Sequence, residues 1–101
     1  MSAFPPWPEL RTLIEEPSFA EAREAIVGND IRRFDEMLSA ITWEIARDPE
    51  HAPAVPGSRL RLARSEAMPG EPILRVYYTI NDDGTCSLWD VNLADVEAEE
   101  E

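Results

Sequence analysis

Four arginines, Arg59, Arg61, Arg64 and Arg75, fall between Gly57 and Ile80 with only Glu66 and Glu71 to oppose them, so this stretch is locally basic. Guanidinium forks so placed can hold phosphate or carboxylate through paired hydrogen bonds. They cannot accept a proton, because arginine stays protonated in proteins. Strand-cleavage chemistry would therefore need its base and its acid from other side chains. Tyr77 and Tyr78 start from a pKa of about 10 and would need a strong local shift. His51 is the only histidine, the side-chain type suited to proton transfer near neutral pH, but it stands in a Pro-rich stretch with no further well-spaced metal ligands. Cys86, the only cysteine, reads as a small strand filler and can form no internal disulfide. No metal and no cofactor are expected. The arginines equally fit ordinary cross-strand ion pairs, with Asp90 near Arg75 in one register.

Charge narrows the function classes. The chain has 101 residues, with 21 acidic side chains against nine basic ones and a net charge of −12. Such a field repels phosphate backbones at long range and argues against generic nucleic-acid binding. From Asp82 onward there are eight acids and no basic residue, so residues 95–101 read as an acidic tail open to a basic partner. A hydrophobic content of 44% suffices for one core. No run approaches the roughly 18 apolar residues of a membrane span, and residues 1–8 lack a basic region followed by an apolar run. A cytoplasmic protein is expected.

The elements that must position these groups follow from periodicity. Phe4-Pro5-Pro6-Trp7-Pro8 is incompatible with helix or central strand, since proline removes a donor and restrains its neighbour. Residues 1–9 thus read as a flexible Pro-rich arm, either loose or docked through Phe4 and Trp7. Residues 10–16 hold Leu10, Thr12 and Ile14 on one parity but also Leu13, which fits a short strand or a short helix, the strand being preferred. Ser18 and Glu21 have the spacing of a capping box, and Phe19, Ala22 and Ile26 follow at helical intervals until Gly28-Asn29. Asp30 can cap a second helix. Its Ile31, Phe34, Met37, Leu38, Ile41 and Ile45 form one apolar stripe, with Arg32, Arg33, Glu36 and Arg47 off it, and Asp48-Pro49 ends it.

Beyond the Pro-rich connection the period changes to two, with Leu60 and Leu62 alternating with Arg59 and Arg61. The turn Met68-Pro69-Gly70-Glu71-Pro72 leads to a β-rich run from Ile73 to Ile80, and Asn81-Asp82-Asp83-Gly84 turns the chain into a last strand. An even-length loop would put Leu74, Val76, Tyr78 and Ile80 on one face with Trp89 and Val91, making Tyr78 and Trp89 core residues. A three-residue loop with a bulge at Gly84 would shift that pairing by one. The expected fold is α+β, a single domain over residues 10–94 with two N-terminal helices packed on a small antiparallel sheet in the order β-α-α-β-β-β.

Phe34 through Pro49, then Arg59-Leu60-Arg61, then Leu74-Arg75-Val76-Tyr77-Tyr78-Thr79-Ile80 with its Asp-Asp-Gly turn, resemble the RelE/ParE toxin superfamily of bacterial type II toxin-antitoxin systems. The resemblance covers residues 10–93. It implies a toxin that either cleaves ribosome-bound messenger RNA, by activating a ribose 2′-hydroxyl, or poisons DNA gyrase. It also implies an antitoxin partner whose extended segment wraps the toxin. By the same resemblance, Arg75 matches the strand arginine that supports the scissile phosphate in the nucleases, and Arg61 and Arg64 fall where those enzymes carry basic residues on the preceding strand. At the C-terminus the nucleases usually carry another basic residue and often Tyr or His, whereas Asp90-Val91-Asn92-Leu93-Ala94-Asp95 has neither. The catalytic set is degenerate, which favours binding over cleavage. The competing expectation is a non-catalytic interaction module that keeps the fold and has lost toxin activity.

Overall fold

A computed structural model of the chain describes residues 10–27, 34–66, 69–70 and 72–94. The arm at 1–9, the stop at Gly28-Asn29, the Asp30 cap with Ile31, Arg32 and Arg33, and the tail at 95–101 lie outside the described residues. Met68 and Glu71 of the second turn also lie outside. The elements are β1 (Leu13–Glu15), α1 (Pro17–Val27), α2 (Phe34–Arg47), β2 (Arg61–Arg64), β3 (Ile73–Ile80) and β4 (Cys86–Ala94). Among the described residues this is an α+β fold of two helices and one four-stranded sheet, ordered β1-β4-β3-β2.

The sheet is mixed, a correction to the antiparallel sheet expected from the sequence. β2, β3 and β4 are antiparallel neighbours, but β1 runs parallel to β4, with Leu13 opposite Cys86 and Glu15 opposite Leu88. β1 and β2 therefore point the same way at the two edges. Strands so directed need a long crossover between them, and the α1 and α2 segment supplies it.

α1 begins at Pro17. Proline suits the first helical position because its missing N–H would have no helical acceptor. The Glu16 carbonyl accepts from the Phe19 and Ala20 amides at 2.9 and 3.1 Å, so Glu16 occupies the capping position. The Ser18–Glu21 capping box is not formed. Ser18 instead donates its hydroxyl proton to the Trp89 carbonyl, fastening the start of α1 to β4. Phe19 and Ile26 of α1 and Phe34, Ile41 and Ile45 of α2 are buried over Leu74, Val76, Tyr78, Leu88 and Val91 of the sheet. From β1 it is Leu13 that packs on this core, while Leu10 and Ile14 stay exposed.

The β3–β4 hairpin takes its register from the loop and shifts it once along the ladder. Asn81 N–H donates to Thr85 O at 2.7 Å, and Gly84, at φ 91°, donates to Asn81 O, so the loop proper has three residues. Glycine adopts that left-handed conformation without a Cβ clash. Ile80 consequently faces Cys86 and Tyr78 faces Leu88. The ladder then shifts between Tyr77 and Tyr78, so that Tyr77 faces Asp90 and Val76 faces Val91. Trp89 is the extra residue, which makes it a β-bulge. The pairing of a three-residue loop thus holds near the turn, and the pairing of an even loop holds beyond the bulge. Val91 reaches the core as expected, whereas Trp89, expected there too, is 40% exposed and donates its indole N–H to Thr79 Oγ1 at 3.0 Å.

Candidate functional site

Directly opposed residues on neighbouring strands share a face of the sheet. Arg64 lies opposite Arg75, Leu62 opposite Tyr77 and Ala63 opposite the core residue Val76. Arg64 and Arg75 therefore stand together on the face turned away from the helices. The Ser65 N–H donates to Leu74 O at 2.9 Å in the adjacent pair. This puts the two arginines in the narrower kind of antiparallel pair, with Cα atoms about 4.5 Å apart. Arg75 Nε donates to Asn92 Oδ1 at 2.8 Å, and Asn92 Nδ2 reaches Asp90 Oδ2 at 3.4 Å. Asp90, weighed from the sequence as a partner of Arg75, lies opposite Tyr77, and Asn92 takes the position across from the arginine.

Arg61 is not part of this face. It shares the helix-side parity with Tyr78, and its Nη1 donates to the carbonyls of Ala52 at 2.7 Å and Glu50 at 3.3 Å. The Tyr78 hydroxyl donates to the Pro49 carbonyl in the same loop. Burial pushes the Tyr78 phenol up to about 12, partly offset by the Arg61 charge. Arg61 and Tyr78 together hold the connection between α2 and β2 against the sheet. Its backbone is also tied at Val55 N–H to Leu60 O and Leu62 N–H to Pro53 O.

The remaining candidates are separate from the arginine pair. Arg59 is highly exposed beside Asp82, its Nη2 4.0 Å from Oδ1. His51 is exposed in the loop after α2. Cys86 is buried, and burial raises its thiol above the ordinary value. Chemically, the Arg64–Arg75 face can hold an anionic group through two guanidiniums, while Asp90 introduces a carboxylate at its border.

A second feature carries residues that the sequence pattern did not single out. A groove of about 720 Å³ runs between α2 and the outer strand β2. Trp43, 51% exposed, stands over it. Trp43 lies off the buried stripe of α2, and a large aromatic on the polar side of an amphipathic helix was the available signal.

No protein-family model matches the chain, and no curated protein or solved structure matches it. None of the described helices is long and apolar enough to cross a membrane.

Proposed function

We propose that this chain is a RelE/ParE-like toxin-superfamily protein, working in the bacterial cytoplasm under control of an antitoxin-like partner, that acts by binding its target and not by cutting RNA. The observation that carries this reading is the juxtaposition of Arg64 and Arg75 on the helix-free face of the sheet, with Asn92 orienting Arg75. The element order β-α-α-β-β-β and the arginine-bearing β3 strand agree with the resemblance in the sequence.

Three features favour binding over cleavage. Arg61, which the resemblance places in the catalytic set, is occupied with the carbonyls of Ala52 and Glu50. Asp90 stands on β4 near the position where the nucleases usually carry a basic residue, and a carboxylate there opposes an approaching phosphodiester. The net charge of −12 opposes docking on ribosomal RNA. A protein target such as gyrase has no phosphate backbone for this net charge to repel.

The discriminating experiment incubates the purified protein with ribosomes holding a labelled message. Intact message at high protein concentration is expected. Cleavage by the wild type that disappears with Arg75→Ala would replace the binding reading with a nuclease.

A further inference from the structure

The groove between α2 and β2 is apolar at its base and acidic at its rim. Ala40 sits one turn before Trp43 on α2, and its small side chain leaves room beside the indole, with Met37 and Ala63 lining the same hollow. Around it the described lining residues include four carboxylates, Glu36, Glu44, Asp48 and Glu66, against one guanidinium, Arg64. Glu44 is held by Arg47 in an exposed pair at 2.9 Å, which orients its carboxylate without taking it out of solvent. An exposed tryptophan beside a concave apolar strip is the kind of anchor that dominates binding interfaces. The acidic rim selects the sign of what flanks the anchor, because opposite potentials steer encounter and like charges are rejected.

We infer that this groove is a second docking surface, meeting the arginine face only at their shared residue Arg64 and not including Arg75, for a segment of another protein whose apolar side chains pack on Trp43 and whose flanking Lys or Arg residues meet the acidic rim. The two surfaces differ in chemistry: one presents paired guanidiniums, the other an aromatic anchor within carboxylates. They can be occupied by different segments.

The test uses the full-length, isotopically labelled chain titrated with two synthetic peptides, one of Leu and Lys only and its counterpart of Leu and Glu. The Leu/Lys peptide is expected to shift the amides of Ala40, Trp43 and Ser65 and the Trp43 indole signal. Trp43→Ala is expected to weaken that binding about tenfold, as is the pair Glu44→Lys with Glu66→Lys. Arg75→Ala is expected to leave it unchanged, so failure of the groove and failure of the arginine face read out separately. Because Trp43 is exposed, its substitution leaves the core intact, and the amide spectrum verifies this directly. Equal binding of the Leu/Glu peptide, unchanged affinity in Trp43→Ala, or shifts confined to the acidic residues 95–101 would overturn the proposal. Concentration-dependent broadening at Trp43 without peptide would assign the groove to a second copy of the chain. Contacts from Trp7 to Trp43 in the free protein would assign it to the chain's own arm. Either of these would also overturn it.

Discussion

Arg75 stands directly across from Arg64 on the helix-free face of the sheet, while Arg61, three residues before Arg64, turns to the opposite face and holds the loop that follows α2. Arg64 and Arg75 therefore share one face of the sheet, and Arg61 serves the loop on the other. Arg61→Met should destabilise the protein by about 2 kcal/mol, since charge-assisted bonds to two carbonyls are lost. Arg75→Ala, which removes the part-buried bond to Asn92, should cost less, about 1 kcal/mol. Urea unfolding of the two variants measures the contrast.

Tyr78 makes stability fall in alkali. Its phenol is fully buried, is bonded to Pro49, and is pushed up to about 12 in the folded state. The folded chain thus keeps a proton that the unfolded chain releases near pH 10, so the stabilisation is complete below about pH 10 and is lost as pH rises through about 12. Two pKa units correspond to roughly 3 kcal/mol. The chain has no lysine to titrate in the same window. Tyr78→Phe should weaken the protein by about 1 kcal/mol at neutral pH and flatten the descent between pH 10 and 12. Unfolding followed against pH, with tyrosinate absorbance alongside, checks both.

Gly84 closes the hairpin at φ 91°. A Cβ there would meet only Arg11 Nη1, at 3.5 Å, so space is not the difficulty and the backbone conformation is. Gly84→Ala should cost about 1 kcal/mol or more, because alanine resists positive φ. Thermal unfolding reports it.

The buried and exposed sides of α2 should respond in opposite ways. Ile45 is 2% exposed within the core, so Ile45→Ala should cost about 2–5 kcal/mol through lost burial and a cavity. Trp43→Ala, on the groove side of the same helix, should change stability by less than about 0.5 kcal/mol. Denaturant midpoints at a common slope distinguish the two.

How far the fold could be read in advance depended on whether periodicity encodes the feature. The stripe Phe34, Ile41, Ile45 and the parity of Leu74, Val76 and Tyr78 are repeating patterns, and those residues form the core. Trp89 was misplaced because a bulge inserts one residue without any mark in composition, and the parity of everything between it and the turn changes. The direction of β1 was missed for a related reason, since three residues with one inward side chain look the same parallel or antiparallel. Arg61 and Arg64 have opposite parity along β2, so their separation was legible in principle. The role of Arg61 was not, because it depends on where the loop carbonyls of Glu50 and Ala52 come to rest. Arg75 and its neighbour across the strand required the register, which no local signal supplied.

The most direct measurement is growth of a bacterial host in which this protein is induced alone, beside an Arg75→Ala control of equal soluble yield. Growth arrest by the wild type, relieved by Arg75→Ala while the variant remains folded, is the expected result. Unimpaired growth with abundant folded wild-type protein would contradict toxin action through the Arg64–Arg75 face and leave a silent interaction module of the same architecture.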